Sequence, residues 1–330
     1  MKLLKSLSEI KVNEKLFPVF FQDAWLNFQR EKSEVFIYCD DNNQLLIPFT
    51  ITPGKVLMIG KYIYKPLTYK GNSVESEKEC LSIFHLFLKK KKLCHVIFPP
   101  IHVCVFKELP KKVSFYSLGI ISVDLRKEED LLLDMKKNYI RQIKKAIKEQ
   151  VTVDFGPNQL DSFYKLYKDT HQRQGLPYET EFEINSLNSY LFDNMMFGAS
   201  AYQGSAESGF CNLYDDKSAY YLYGGSAGKL KSHGSNKFLF WQTMLHFKEK
   251  GCDKFVLGGF RPDVEEGSKH DGMQQFKINF GAQVEKGYHF YKVLSPIRFL
   301  LFRCLLALKS LITNRDLFPI NREGISIKSN

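Results

Sequence analysis

Three stretches of this chain carry residue types at spacings that could do chemistry. The loop "AGKLKSHGSN" runs directly into a helix of apolar periodicity. Small residues there let backbone N–H groups converge, and the helix N-terminus adds partial positive charge. Together they could hold a pyrophosphate without needing a particular side chain. Lys231, Gly234, Ser235 and Asn236 are the residues concerned. Asn236 has a second reading, as the N-cap of that helix. Further upstream, Lys137, Arg141, Lys144, Lys145 and Lys148 share one helix face with only Glu149 nearby. Such a face is either solvated or suited to a phosphate-bearing ligand, which it would bind in a salt-sensitive way. The third stretch, "GMQQFKINFGAQVEKGYHFYKV", sets Lys277 between Phe276 and Phe280 just before a strand. The two phenylalanines, four apart, could anchor a helical turn and leave Lys277 in water, the ordinary place for lysine.

Other groups are read with less to go on. Tyr221 and Tyr223 fall on one face of their strand by period-two alternation. Gly224 and Gly225, which follow, would admit a close backbone approach or simply end the strand. Arg173 and His171 sit at a helix end before "GLPY", where a cation suits the helix dipole and a lone histidine is usually a surface residue. No carboxylate pair and no Ser/His/Asp set stands out. The seven cysteines form no CxxC pair, so neither a disulfide framework nor a metal site is expected.

The elements that must position these residues follow from periodicity. "VFIYCD" and "LLIPFTI" read as a hairpin, Glu75 to Lys91 as a helix, and "CHVIFPP" as a buried strand. A basic amphipathic helix runs from Glu128 to Gln150, followed by the short strand "VTVDFG". Helices over Gln159–Gln174 and Glu181–Asn194 lead into three successive strands, "MFGASAYQ", "SGFCNLYD" and "AYYLYGGS". The phosphate-type loop, a helix over Lys237–Lys250, the strand "KFVLGG" and the Lys277 stretch complete the order. With 330 residues, two domains are expected, spanning 1–125 and 126–295, with an amphipathic basic helix and tail over 296–330.

Composition bounds the function. The chain is 44% hydrophobic and 14% aromatic, which is globular. Its 47 basic against 36 acidic residues leave a net charge of +11, favouring RNA, anionic lipid or phosphorylated cofactors. The N-terminus lacks the apolar centre of a signal peptide, so a cytoplasmic location is expected. The apolar run from Phe299 to Ile312 would span about 21 Å as a helix, short of the roughly 30 Å bilayer core. It either packs as core or lies in a membrane interface with Arg298, Arg303 and Lys309 snorkelling.

A meander of three strands, a glycine-containing loop, a helix and a further strand is the core of the GNAT acyltransferase fold. From "FFQDAW" through "NYIRQIKKAIKEQVTV", "THQRQGLPY", "YYLYGGS" and "FLFWQTMLHFKEKGCDKFVLGG" to "FKINFG", the chain resembles the FemAB-like branch of that superfamily over roughly residues 15–293. The phosphate loop departs from the Arg/Gln-x-x-Gly-x-Gly/Ala pattern by a lysine and an asparagine, and no coiled-coil arm is present.

The resemblance implies an α/β (α+β) fold of two GNAT-like domains, each a mixed, mostly antiparallel sheet flanked by helices. It implies acyl or aminoacyl transfer to an amine or hydroxyl of a cell-envelope precursor, whether lipid-linked peptidoglycan, a glycolipid or a polysaccharide. The donor would be acyl-CoA or aminoacyl-tRNA, with no metal. Lys277 would stabilise an oxyanion or contact a donor phosphate, while Tyr221 and Tyr223 flank the acyl group, Tyr223 donating a proton. Gly224, Gly225, Lys231, Gly234, Ser235 and Asn236 would hold the donor. Arg141, Lys145, Arg173 and Phe276 would contact substrate, and segment 296–313 would touch the inner face of the plasma membrane. The competing reading is a non-catalytic basic module binding RNA or anionic membrane through the Lys137–Lys148 face.

Overall fold

The computed structural model describes residues 1–42, 44–54, 56–127, 130–313 and 328–329, which form two compact units. The first unit comprises residues 1–119, 259–264 and 285–330, and the second 120–258 and 265–284.

The first unit begins with β1 (Lys2–Leu4), α1 (Asp23–Arg30), β2 (Glu34–Cys39) and β3 (Leu45–Thr52). It continues through β4 (Ile59–Tyr62), β5 (Leu67–Thr68), α2 (Glu77–Lys91), β6 (Val96–Phe98) and the start of β7 (Ser114–Asp124). β2, β3 and β4 form an antiparallel meander, and β6 returns parallel to β4 through α2. β3 has seven consecutive buried residues, so both of its faces are covered. Tyr62, Phe84, Phe106 and Phe290 meet edge-on at its centre, with ring centroids 4.8–5.8 Å apart.

The second unit takes the end of β7, then α3 (Lys137–Lys148), β8 (Thr152–Phe155), α4 (Leu160–Gln174) and α5 (Glu181–Leu191). β9 (Met195–Tyr202), β10 (Ser205–Tyr214) and β11 (Ser218–Ser226) form its meander. α6 (Ser235–Glu249), β12 (Lys254–Phe260) and α7 (Lys269–Ile278) follow; next in the chain are β13 (Gln283–Val293) and α8 (Pro296–Thr313), which lie in the first unit from residue 285 onward. β8 to β11 pair antiparallel and β12 returns parallel to β11. Each unit therefore repeats meander, helix and parallel strand. These are the mixed, mostly antiparallel sheets flanked by helices that the sequence implies.

Three expectations change. β13 does not close the second domain: Lys292 and Val293 pair with Ile97 and Val96 of β6, which returns residues 285–293 to the first unit. The long helix expected from Glu128 is broken. Leu131–Asp134 is a 3-10 turn, α3 starts at Lys137, and Glu128 lies outside the described residues. Finally, α8 is neither wholly core nor wholly free. Phe299 packs on Leu57 and Val96, whereas Ile297, Leu300, Leu301 and Leu305 are exposed. Most of the expected tail beyond residue 313 lies outside the described residues. Among the described residues no helix is long and apolar enough to cross a membrane.

Candidate active site

Tyr221, Tyr223, Gly224 and Gly225 lie on β11, at the level where the sheet of the second unit opens. The β11–β12 ladder runs from Ser218–Lys254 to Tyr220–Val256 and stops there, although β11 continues to Ser226. A register shift falls at the same level. Cys211 faces Tyr223 and Asn212 faces Tyr221, so Leu222 is an extra residue, a β-bulge. The bulge turns the side chains that follow it.

That bulge overturns the expectation that Tyr221 and Tyr223 share a face. The Tyr221 ring packs on Phe210 and on Phe240 of α6, with centroids 5.0 and 5.3 Å away. The Tyr223 ring lies 5.3 Å from Tyr167 of α4, on the opposite face of the sheet. Burial raises the pKa of both phenols well above its usual value, and Glu179 adds to the effect at Tyr223. Both hydroxyls thus keep their protons. The Glu179 carboxylate accepts from the Tyr167 hydroxyl and also bonds Tyr223. Glu179 carried no sequence signal, because it lies in an irregular stretch far from either tyrosine in the chain.

Gly224 and Gly225 are steric necessities. A Cβ on Gly224 would fall 2.0 Å from the Tyr221 hydroxyl, and one on Gly225 would fall 2.3 Å from the Leu166 carbonyl of α4. They let helix and side chain reach the strand. Arg173 reaches the same strand end, donating to the Ser226 carbonyl at 2.6 Å and to Thr170 Oγ1 at 3.1 Å. His171 donates from Nδ1 to the Pro177 carbonyl at 2.6 Å, so it orders the loop after α4.

Lys277 lies on α7 and does not point into water. Phe276 and Phe280 do anchor the helix turn, packing together and on Tyr139 of α3 and Phe240 of α6. Lys237 lies over the rings of Tyr139 and Phe276, at 5.1 and 5.6 Å. With its neighbours so held, Lys277 Nζ comes 3.2 Å from where a Cβ on Gly258 would be, on β12 beside the open ladder. Gly258 has φ +106°, a conformation that suits glycine alone. Burial pulls the Lys277 ammonium down to about 8. An ammonium withdrawn from water beside exposed strand backbone is equipped to stabilise a developing oxyanion.

The expected phosphate loop is filled from within. A second register shift, between Ala206 and Ser208, makes Glu207 a bulged residue of β10. Its carboxylate is 2% exposed and accepts from the amides of Lys231 and Ser232, at 2.6 and 3.1 Å, and from Ser235 Oγ at 2.5 Å. These donors lie in the loop that the sequence marks out for a pyrophosphate. Gly234 serves close packing: a Cβ there would lie 2.2 Å from the Gln142 carbonyl of α3. Gly234, not Asn236, is the N-cap residue of α6, and Asn236 Oδ1 is buried without a partner. The Lys231 ammonium points outward to Ser205 Oγ, 3.3 Å away. Sequence reading missed Glu207 because a bulge leaves no periodic mark.

On α3, Lys137, Arg141, Lys144, Lys145 and Lys148 line one shallow exposed surface. Arg141 donates to Asn138 Oδ1 at 3.0 Å, and Lys145 pairs with Glu149 at 3.5 Å. Glu149 in turn accepts from Ser232 Oγ at 2.6 Å, tying this helix to the filled loop. Among the described residues, no three His, Cys, Asp or Glu side chains gather as a metal ion would require.

Fold and site are similar to those of FemAB-like proteins. The model of the FemAB family matches residues 201–306, which contain the open ladder, the filled loop and Lys277. The Lipid II:glycine glycyltransferase of Staphylococcus epidermidis is 25% identical over 104 residues, 32% of this chain. That alignment covers 25% of the glycyltransferase, so the matched part is a quarter of the curated relative's length. The crystal structure of FemX superposes over 91% of this chain and 99% of its own, with TM-score 0.66 and 13% identity. The C-terminal domain of a putative lysylphosphatidylglycerol synthetase from Agrobacterium fabrum superposes with TM-score 0.55 and 14% identity, over 84% and 92% of the two chains. The structural likenesses extend the fold over nearly the whole chain.

Proposed function

We propose that this protein is an aminoacyltransferase that moves an aminoacyl group from aminoacyl-tRNA to an amine of a lipid-linked cell-envelope precursor, at the inner face of the plasma membrane. The observation that carries this reading is Lys277. It is a lysine drawn out of water, held beside Gly258 at the open end of the β11–β12 ladder. The FemAB match over the same residues and the similarity to a Lipid II:glycine glycyltransferase support the choice of donor and acceptor.

In this reading the acceptor nitrogen attacks the carbonyl carbon of the aminoacyl ester. Negative charge collects on the carbonyl oxygen, and the Lys277 ammonium stabilises it there. The bond from carbon to the ribose oxygen then breaks. The neutral Tyr223 phenol gives its proton to that oxygen and regains one from the attacking amine, so the proton lost by the amine is the one the ribose gains. One well-placed donor to an oxyanion supplies about 3–4 kcal/mol. The basic face of α3 suits the donor's phosphodiester backbone. Acyl-CoA has no such support, since Glu207 fills the loop that would take its pyrophosphate.

The test is transfer of labelled amino acids from a charged tRNA pool to lipid-linked peptidoglycan precursor by the purified chain. Transfer that Lys277→Ala reduces by orders of magnitude supports the reading. No transfer from any aminoacyl-tRNA, or equal transfer by Lys277→Ala, overturns it.

A further inference from the structure

A second concave surface lies in the first unit. It is a groove of about 880 Å³ between α2, the loop at Pro110–Lys112 and the junction of β13 with α8. Its composition is unusual. The floor is apolar, with Ile83 and Leu86 of α2 facing outward at 42% and 68% exposure, together with Val293 and Leu294. Large apolar side chains left this open in a row mark an interaction surface.

The rim is cationic. Lys78, Lys89, Lys111, Lys112 and Lys292 line the groove against the single carboxylate of Glu79. Lys292 donates to the carbonyls of Lys111 and Lys112, at 2.8 and 2.7 Å, which pins the loop so that the lysines converge. Burial, then the charges of Lys112 and Lys89, lower the pKa of Lys292. The rim is thus a set of cations near enough to repel one another. His85 beneath is uncharged, bonded to the Tyr62 hydroxyl at 2.7 Å and held down to about 3, first by burial and then by Lys292.

The chain leads from the groove directly into a second set of exposed apolar residues. The groove wall ends at Pro296, the first residue of α8, and Ile297, Leu300, Leu301 and Leu305 are exposed from there on. Phe299 on the same helix is buried against Leu57 and Val96, so α8 is anchored while these residues stay outside. An apolar floor, a cationic rim and an apolar helix edge next in the chain together match one partner. That partner has hydrocarbon inside and phosphate outside.

We infer that this groove and the adjoining edge of α8 form a docking surface for an anionic lipid bilayer. Lipid phosphates would lie against Lys89, Lys111, Lys112 and Lys292, and hydrocarbon against Ile83, Leu86 and the exposed side of α8. Each lysine near such a surface strengthens binding roughly fivefold. Docking requires neither donor nor acceptor, so it can be measured independently of the proposed transfer reaction.

The test is co-sedimentation of the full chain with vesicles of phosphatidylcholine, and with vesicles of equal parts phosphatidylcholine and phosphatidylglycerol. Binding to the anionic vesicles alone is expected. A Lys89→Glu, Lys112→Glu variant should weaken it at least tenfold, and so should Leu86→Glu. Lys137→Glu with Lys144→Glu, equal in charge change but on α3, should leave it unchanged, as should Lys277→Ala. Should a glutamate variant melt early, Lys89→Ala with Lys112→Ala replaces it, again with weakened binding expected. Equal binding to both vesicle types, binding to neither, or equal weakening by the α3 variant overturns the inference.

Discussion

The Glu207 carboxylate accepts a 2.6 Å hydrogen bond from the Lys231 amide, at the place where a GNAT-type loop would meet a donor pyrophosphate. A buried anion supplied by the protein holds the loop in the shape that an anionic ligand would otherwise impose. Its further bonds from Ser232 and Ser235 leave that anchor well satisfied.

Two outcomes follow for this loop. Calorimetric titration with acetyl-CoA should give no saturable heat; tight binding there would contradict the filled loop. Glu207→Gln keeps the shape but removes the charge and puts an amide donor among hydrogen-bond donors. It should lower unfolding free energy by about 1–3 kcal/mol in a denaturant titration.

Lys277→Ala should lower transfer by a hundredfold to about a thousandfold in kcat, with no loss of melting temperature. Because the ammonium form is the active one and its folded value is about 8, transfer should fall as pH rises through that value. Stability has the opposite sign. Between that value and the ordinary lysine range the unfolded chain holds more protons than the folded one, so stability rises with pH across this window. Below about pH 8 the cost of burying the charge is fully present. Melting curves of wild type and Lys277→Ala should converge as pH rises through the window, and curves that stay parallel would argue against a desolvated Lys277.

Gly258→Ala tests the backbone beneath that lysine. A side chain at φ +106° with its Cβ 3.2 Å from Lys277 Nζ strains the strand and crowds the ammonium. A loss of about 1–3 kcal/mol in stability is expected, together with a fall in kcat. Wild-type melting and kinetics would show that the contact is idle.

The two tyrosines should behave differently because they lie on opposite faces. Tyr223→Phe removes a phenol bonded to Glu179 and should slow transfer about a hundredfold. Tyr221→Phe sits among Phe210 and Phe240 and should leave the rate nearly unchanged. Steady-state kinetics of the pair decides the matter, and equal effects would contradict the separation of faces.

Much of this molecule is written locally. Apolar periodicity marks α2, α4, α6 and the three-strand meander to within a few residues, since each must bury one stripe or face. The order of those elements carries the GNAT-type topology, and the FemAB-like resemblance places Lys277 among the candidate residues. Only the tertiary structure decides what that lysine touches. Its Nζ lies beside Gly258, and the flanking Phe276 and Phe280 pack on Tyr139 and Phe240; these residues are spread along the chain and share no local pattern. The two β-bulges were likewise hidden, because one extra residue in a strand changes no propensity but turns every side chain beyond it. One bulge separates Tyr221 from Tyr223, and the other aims Glu207 into the loop. Local sequence thus dictates which elements form. The side chains that meet at the site depend on register and long-range packing, which only the assembled sheet determines.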